Sequence, residues 1–100
     1  MIGQTIHHVV IRGRVQGVGY RAWIEQKAII RGLEGWVRNR RDGTVEAVFV
    51  GPEQHVTEII EACREGPRGA IVTAVDIEDS EDQMLTSLSV SGPFTVLPTA

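Results

Sequence analysis

The chain has one cysteine, one lysine, five aromatic residues and no long apolar run. Cys63 has no partner for an internal disulfide, so this is not a disulfide-stapled scaffold. The longest aliphatic-aromatic run is Ala47-Val48-Phe49-Val50, far short of the roughly 20 residues a membrane helix needs. The first residues, Met1 to Thr5, carry neither a basic patch nor an apolar stretch of signal-peptide length, so the expected location is the cytoplasm. Neither a Gly-Lys-Ser/Thr phosphate loop nor Gly-x-Gly-x-x-Gly occurs. What is present, 42% hydrophobic and 23% charged residues over 100 positions, matches one soluble globular domain spanning residues 1–100.

The net charge of -3 hides an asymmetry. Residues 1–45 hold eight basic and three acidic side chains, a surplus of +5, whereas residues 46–100 stand at -8. Nine of the ten bases are arginine, the side chain suited to a planar, two-pronged grip on phosphate or carboxylate. The first half is therefore expected to bind a small anion.

Local patterns give the element order. Thr5 to Arg12, with Val9, Val10 and Ile11, reads as a strand. Gly13 to Gly19 contains three glycines and reads as a loop. Tyr20, Ile24 and Ala28 repeat at helical spacing up to Arg31, and Gly32 supplies a stop. Leu33 to Asn39 and Thr44 to Val50 read as strands joined by a turn containing Asp42-Gly43. Pro52 and Glu53 then open a second helix with the stripe Val56, Ile59, Ile60 and Cys63. Ala70 to Ile77 and Phe94 to Leu97 read as further strands, and Glu78 to Ser91 as a solvated connection. The order β-α-β-β-α-β plus a short terminal strand predicts an α+β fold, an antiparallel sheet with both helices on one face.

Two stretches carry chemical content. A glycine-rich turn between a strand and a helix lets several N–H groups converge on one anion, aided by the helix dipole. The loop Gly13 to Gly19 fits that description, although glycine loops alone are as often plain connections. Arg21 tips the balance, because at the helix entrance its guanidinium can fold over a phosphate held there. In the second stretch, Asn39 ends a strand before the turn. Taken alone it is an ordinary turn residue, but a carboxamide can also accept from and donate to one water and so fix its orientation.

Gly13-Arg14-Val15-Gln16-Gly17-Val18-Gly19-Tyr20-Arg21, Gly35-Trp36-Val37-Arg38-Asn39 and Asp42-Gly43-Thr44-Val45-Glu46 together resemble the signatures of the acylphosphatases. The resemblance runs from about Val9 to Ile77. It implies a ferredoxin-like α/β sandwich that hydrolyses the carboxyl-phosphate anhydride of a small acyl phosphate (acylphosphate phosphohydrolase, EC 3.6.1.7), with no metal or organic cofactor. It also implies that Val15, Gln16, Gly17, Val18, Gly19 and Tyr20 form the cradle, that Arg21 binds the phosphate and that Asn39 orients the water. Tyr20 stands where phenylalanine is common in that family, and its hydroxyl needs a partner. The chain's end, Leu97-Pro98-Thr99-Ala100, lacks the tyrosine found in some members.

The remaining candidates are weaker. His7 and His8 are adjacent and point to opposite sides of a strand, and His55 is distant, so no metal-ligand spacing emerges. Cys63 continues an apolar stripe and reads as a small buried hydrophobe. Arg38, Arg40 and Arg41 flank Asn39, either guiding anions or simply solvating the hairpin. Two non-enzymatic alternatives stay open: a module that binds an anion without hydrolysis, and an RNA-binding sheet. The second is disfavoured by the few aromatics and the net negative charge, and no nucleic-acid or membrane partner is expected. A monomer is expected, since no heptad pattern calls for a partner helix.

Overall fold

The computed structural model describes residues 4–79 and 92–100. The elements are β1 (Gln4–Arg14), α1 (Tyr20–Ile30), β2 (Glu34–Asn39), β3 (Val45–Pro52), α2 (Glu53–Glu65), β4 (Ile71–Ile77) and β5 (Thr95–Val96). The sheet order is β4-β1-β3-β2-β5. The first four strands pair antiparallel, as the sequence predicts. The short fifth strand runs parallel to β2, so the sheet as a whole is mixed.

The core follows from the two periodicities. Tyr20, Ile24 and Ala28 of α1 and Val56, Ile59, Ile60 and Cys63 of α2 are buried against Val9, Ile11, Val37, Val45, Ala47 and Phe49 of the sheet. These sheet positions alternate along their strands, so they share the face that meets both helices. The other face carries His8, Val10, Trp36, Glu46 and Val48, which are also buried. Phe94, ahead of β5, stacks on Phe49 at 5.6 Å between ring centroids.

Three differences from the sequence reading bear on the site or its supports, two of them nonlocal in origin. Gly13 and Arg14 belong to β1, paired with Val72 and Ile71 after a register shift next to Arg12. Gly13 sits at φ +123°, and a Cβ there would lie 2.1 Å from the Ile71 carbonyl oxygen. This glycine therefore serves a bulge, and the loop shrinks to Val15–Gly19. The hairpin after β2 turns over three residues, Arg41, Asp42 and Gly43, with Arg40 N–H donating to Thr44 O (2.9 Å) and Gly43 N–H to Arg40 O (3.1 Å). Gly43, at φ +95°, takes the left-handed position that follows such a turn. Glu78 and Asp79 are tied to β1: Glu78 N–H donates to His8 O, and Asp79 accepts from His8 N–H. The rest of the expected solvated connection, residues 80–91, lies outside the described residues.

Candidate active site

Chain direction and register bring the two sequence motifs to one end of the sheet. β1 and β2 both pair antiparallel with β3, so they run the same way and their last residues lie at the same edge. Val45 is the register partner of both Ile11 and Asn39. Asn39 is therefore two strands across from Ile11, close to the end of β1 at Arg14, beyond which the chain becomes the glycine loop.

That loop passes through Gly19, a left-handed N-cap at φ 78°, into α1. The first turn of α1 contains no acidic residue and no side chain caps it. Among the described residues, no carbonyl or side chain accepts from the N–H groups of residues 15–22. Unpaired N–H donors at the positive end of a helix dipole are the kind of arrangement that attracts an anion.

Val15, Gln16, Gly17, Gly19, Tyr20, Arg21 and Asn39 line one pocket of about 310 Å³, together with Ala22, Glu25 and Val96. Both candidate catalytic residues thus border the same space. Val18 is not in that lining; its side chain packs against the core. Sequence reasoning missed Ala22, Glu25 and Val96. Glu25 was the most legible, because it stands one helical turn after Arg21 on the same face. Val96 depended on the pairing of β5 with β2, which no local pattern announces.

The hairpin is internally braced. Asp42 accepts from both Thr44 N–H (3.0 Å) and Thr44 Oγ1 (2.6 Å), and the hydroxyl and backbone bonds from Thr44 hold its carboxyl below the usual range. Ala100 adds a second brace, donating its N–H to Asn39 O and accepting from Arg41 N–H, both at 3.0 Å.

Tyr20 finds the partner its hydroxyl needs: Oη donates to the Cys63 carbonyl oxygen in the last turn of α2. Burial, with Cys63 beside it, pushes the phenol well above its ordinary range. Burial also raises the Cys63 thiol to about 12, which suits the expected packing role and not that of a nucleophile.

Arg38 turns away from Asn39. It bonds Glu46 Oε1 at 2.7 Å and lies over the Trp36 ring at 4.8 Å, on the sheet face opposite the core. Glu46 also meets His8 Nε2 at 2.6 Å. Burial alone would raise the Glu46 carboxyl, but the bonds from Arg38 and His8 outweigh it and leave the group below its ordinary value. Trp36 is only 3% exposed, so among the described residues this face offers no open aromatic platform of the kind single-stranded RNA needs. Among the described residues, no group of three His, Cys, Asp or Glu side chains could hold a metal ion, and no helix is long and apolar enough to cross a membrane.

The acylphosphatase family model matches residues 7–87. A protein of Bradyrhizobium diazoefficiens named acylphosphatase is 50% identical over 98 residues, covering 98% of this chain and 99% of the relative. Another, from Rhodopseudomonas palustris, is 50% identical over 95 residues, covering 95% and 96%. The crystal structure of acylphosphatase from Bacillus subtilis superposes with a TM-score of 0.82 at 34% identity, over 95% of this chain and 99% of that one. Similarity this extensive, spanning both the glycine loop and the hairpin, carries a single conclusion: the chain belongs to the acylphosphatase family of hydrolases.

Proposed function

We propose that the pocket between the glycine loop and the hairpin hydrolyses acyl phosphates, with Arg21 and the loop N–H groups holding the phosphoryl group and Asn39 orienting water. The observation that carries this reading is convergence. Loop residues whose N–H groups have no described protein acceptor, an arginine and an asparagine all line the same pocket.

The division of labour follows from the chemistry of the substrate. A carboxylate is already a good leaving group, so the barrier falls mainly through neutralising phosphoryl charge and aligning the nucleophile. The water oxygen bonds to phosphorus as the bond from phosphorus to the acyl oxygen breaks. An acyl phosphate dianion plus water gives a carboxylate and dihydrogen phosphate, and the water proton passes to a phosphoryl oxygen. Asn39 cannot remove a proton near neutral pH; it contributes place and orientation. The reading extends to a monomer acting in the cytoplasm.

The test is release of inorganic phosphate from acetyl phosphate in the presence of a chelator, for the natural sequence and Asn39→Ala. The expected loss in kcat is roughly 10²-fold, the scale of a lost orienting or oxyanion-stabilising group, with a smaller change in inhibition by inorganic phosphate. Collapse of phosphate inhibition with turnover of bound substrate intact would make Asn39 a binding residue and refute its assignment to water.

A further inference from the structure

The Gln16 side chain has no part in the chemistry described so far, yet it ties the two halves of the site together. Its Nε2 donates to the Arg40 carbonyl at 2.7 Å and to the Thr44 carbonyl at 2.8 Å. An amide nitrogen has two hydrogens, so both are used. The amide orientation is fixed as well, since turning Oε1 toward two carbonyl oxygens would oppose three acceptors.

The two carbonyls sit at the neck of the hairpin. Thr44 O also receives Arg40 N–H at 2.9 Å, and Arg40 O receives Gly43 N–H at 3.1 Å. Asn39 directly precedes Arg40 and pairs with Val45, which directly follows Thr44. The Gln16 carboxamide therefore grips the backbone on both sides of the neck, one residue beyond the Asn39–Val45 pair. These bonds span 24 and 28 residues of sequence. Among the described residues they are the only side-chain hydrogen bonds between the loop 15–19 and the hairpin.

We propose that Gln16 is a positioning residue: its side chain sets the distance between the phosphoryl cradle and the Asn39 carboxamide, and acts on turnover through Asn39. The proposal rests on the reading of Arg21, the loop and Asn39 given above. Its physical basis is that in-line attack is sensitive to small displacements. A misplacement of about 1 Å can cost roughly 10²-fold in rate, while the cradle's own donors hold phosphate whether or not the hairpin is in place.

A double-mutant cycle tests it, with kcat on acetyl phosphate and inhibition by inorganic phosphate measured for the natural sequence, Gln16→Met, Asn39→Ala and the double variant. Gln16→Met is expected to lower kcat roughly tenfold or more with little change in phosphate inhibition. In the Asn39→Ala background the same substitution is expected to cost almost nothing, because the group it positions is gone. Gln16→Glu keeps the length but lacks donors when ionised, and its deficit relative to the natural sequence should shrink as pH falls and a protonated carboxyl regains one donor. If Gln16→Met proves unstable by circular dichroism, Gln16→Glu carries the same cycle. Equal losses in both backgrounds, or a loss confined to phosphate inhibition, would overturn positioning through Asn39. Unchanged kcat in Asn39→Ala alone would overturn it by a separate route, by removing the role assigned to Asn39.

Discussion

Arg21 offers the sharpest test of the phosphate site. It lines the pocket at the first turn of α1 and, among the described residues, its side chain takes part in no hydrogen bond or ion pair with the protein. Replacing it with Gln therefore removes ligand contacts without breaking a structural one. A fork of two bonds from a guanidinium to phosphoryl oxygens contributes about 1.5–3 kcal/mol per bond, so the loss is about 3–6 kcal/mol, or roughly 10²- to 10⁴-fold in phosphate affinity. The loop N–H groups remain and leave residual binding. Arg21→Lys keeps the charge but loses the fork, and should fall between the two. The assay is competitive inhibition by inorganic phosphate during acetyl phosphate hydrolysis, with circular dichroism and a denaturant midpoint for each variant. A folded Arg21→Gln protein that bound phosphate within about threefold of the natural sequence, against the 10²-fold or greater loss expected, would refute the assignment.

Two further predictions concern the scaffold. Tyr20→Phe keeps the ring but leaves the Cys63 carbonyl without its donor; it should lower stability by about 1 kcal/mol, moving Tm down by roughly 4–8 °C, and an unchanged denaturant midpoint would show that the bond contributes nothing net. Glu46 has a folded pKa below its ordinary 4.5, so its bonds to Arg38 and His8 stabilise the fold fully above that value, and this contribution fades as pH falls through the depressed one. Glu46→Gln should therefore flatten the acid side of the stability profile and cost about 1–3 kcal/mol at pH 7; parallel profiles for the two proteins would refute this.

Much of the architecture was legible from short-range pattern. The stripes Tyr20, Ile24, Ala28 and Val56, Ile59, Ile60, Cys63 became the buried faces of α1 and α2, because helical spacing alone decides which side chains share a face. The glycine loop and Arg21 were equally visible, since their placement needs only a strand, a turn and a helix in succession. Asn39 was legible as the end of a strand but ambiguous in role, and only the register that sets it beside the loop gave it a place in the pocket.

What the sequence by itself determined, then, was the order of elements, the composition of the core and the identity of the two motifs, all matters of neighbours within a few residues. Tertiary structure decided the rest: the passage of Gly13 and Arg14 into β1, the parallel seating of β5 with Val96 at the pocket, the turning of Arg38 away to Glu46, and the span of Gln16 from loop to hairpin. Each depends on hydrogen bonds or packing between different strands or loops, neighbouring ones for Arg38 and Glu46 and distant ones for the others. Such contacts exist only once strand register is fixed, and register is set by the burial of one whole face of the sheet and not by any single stretch of residues.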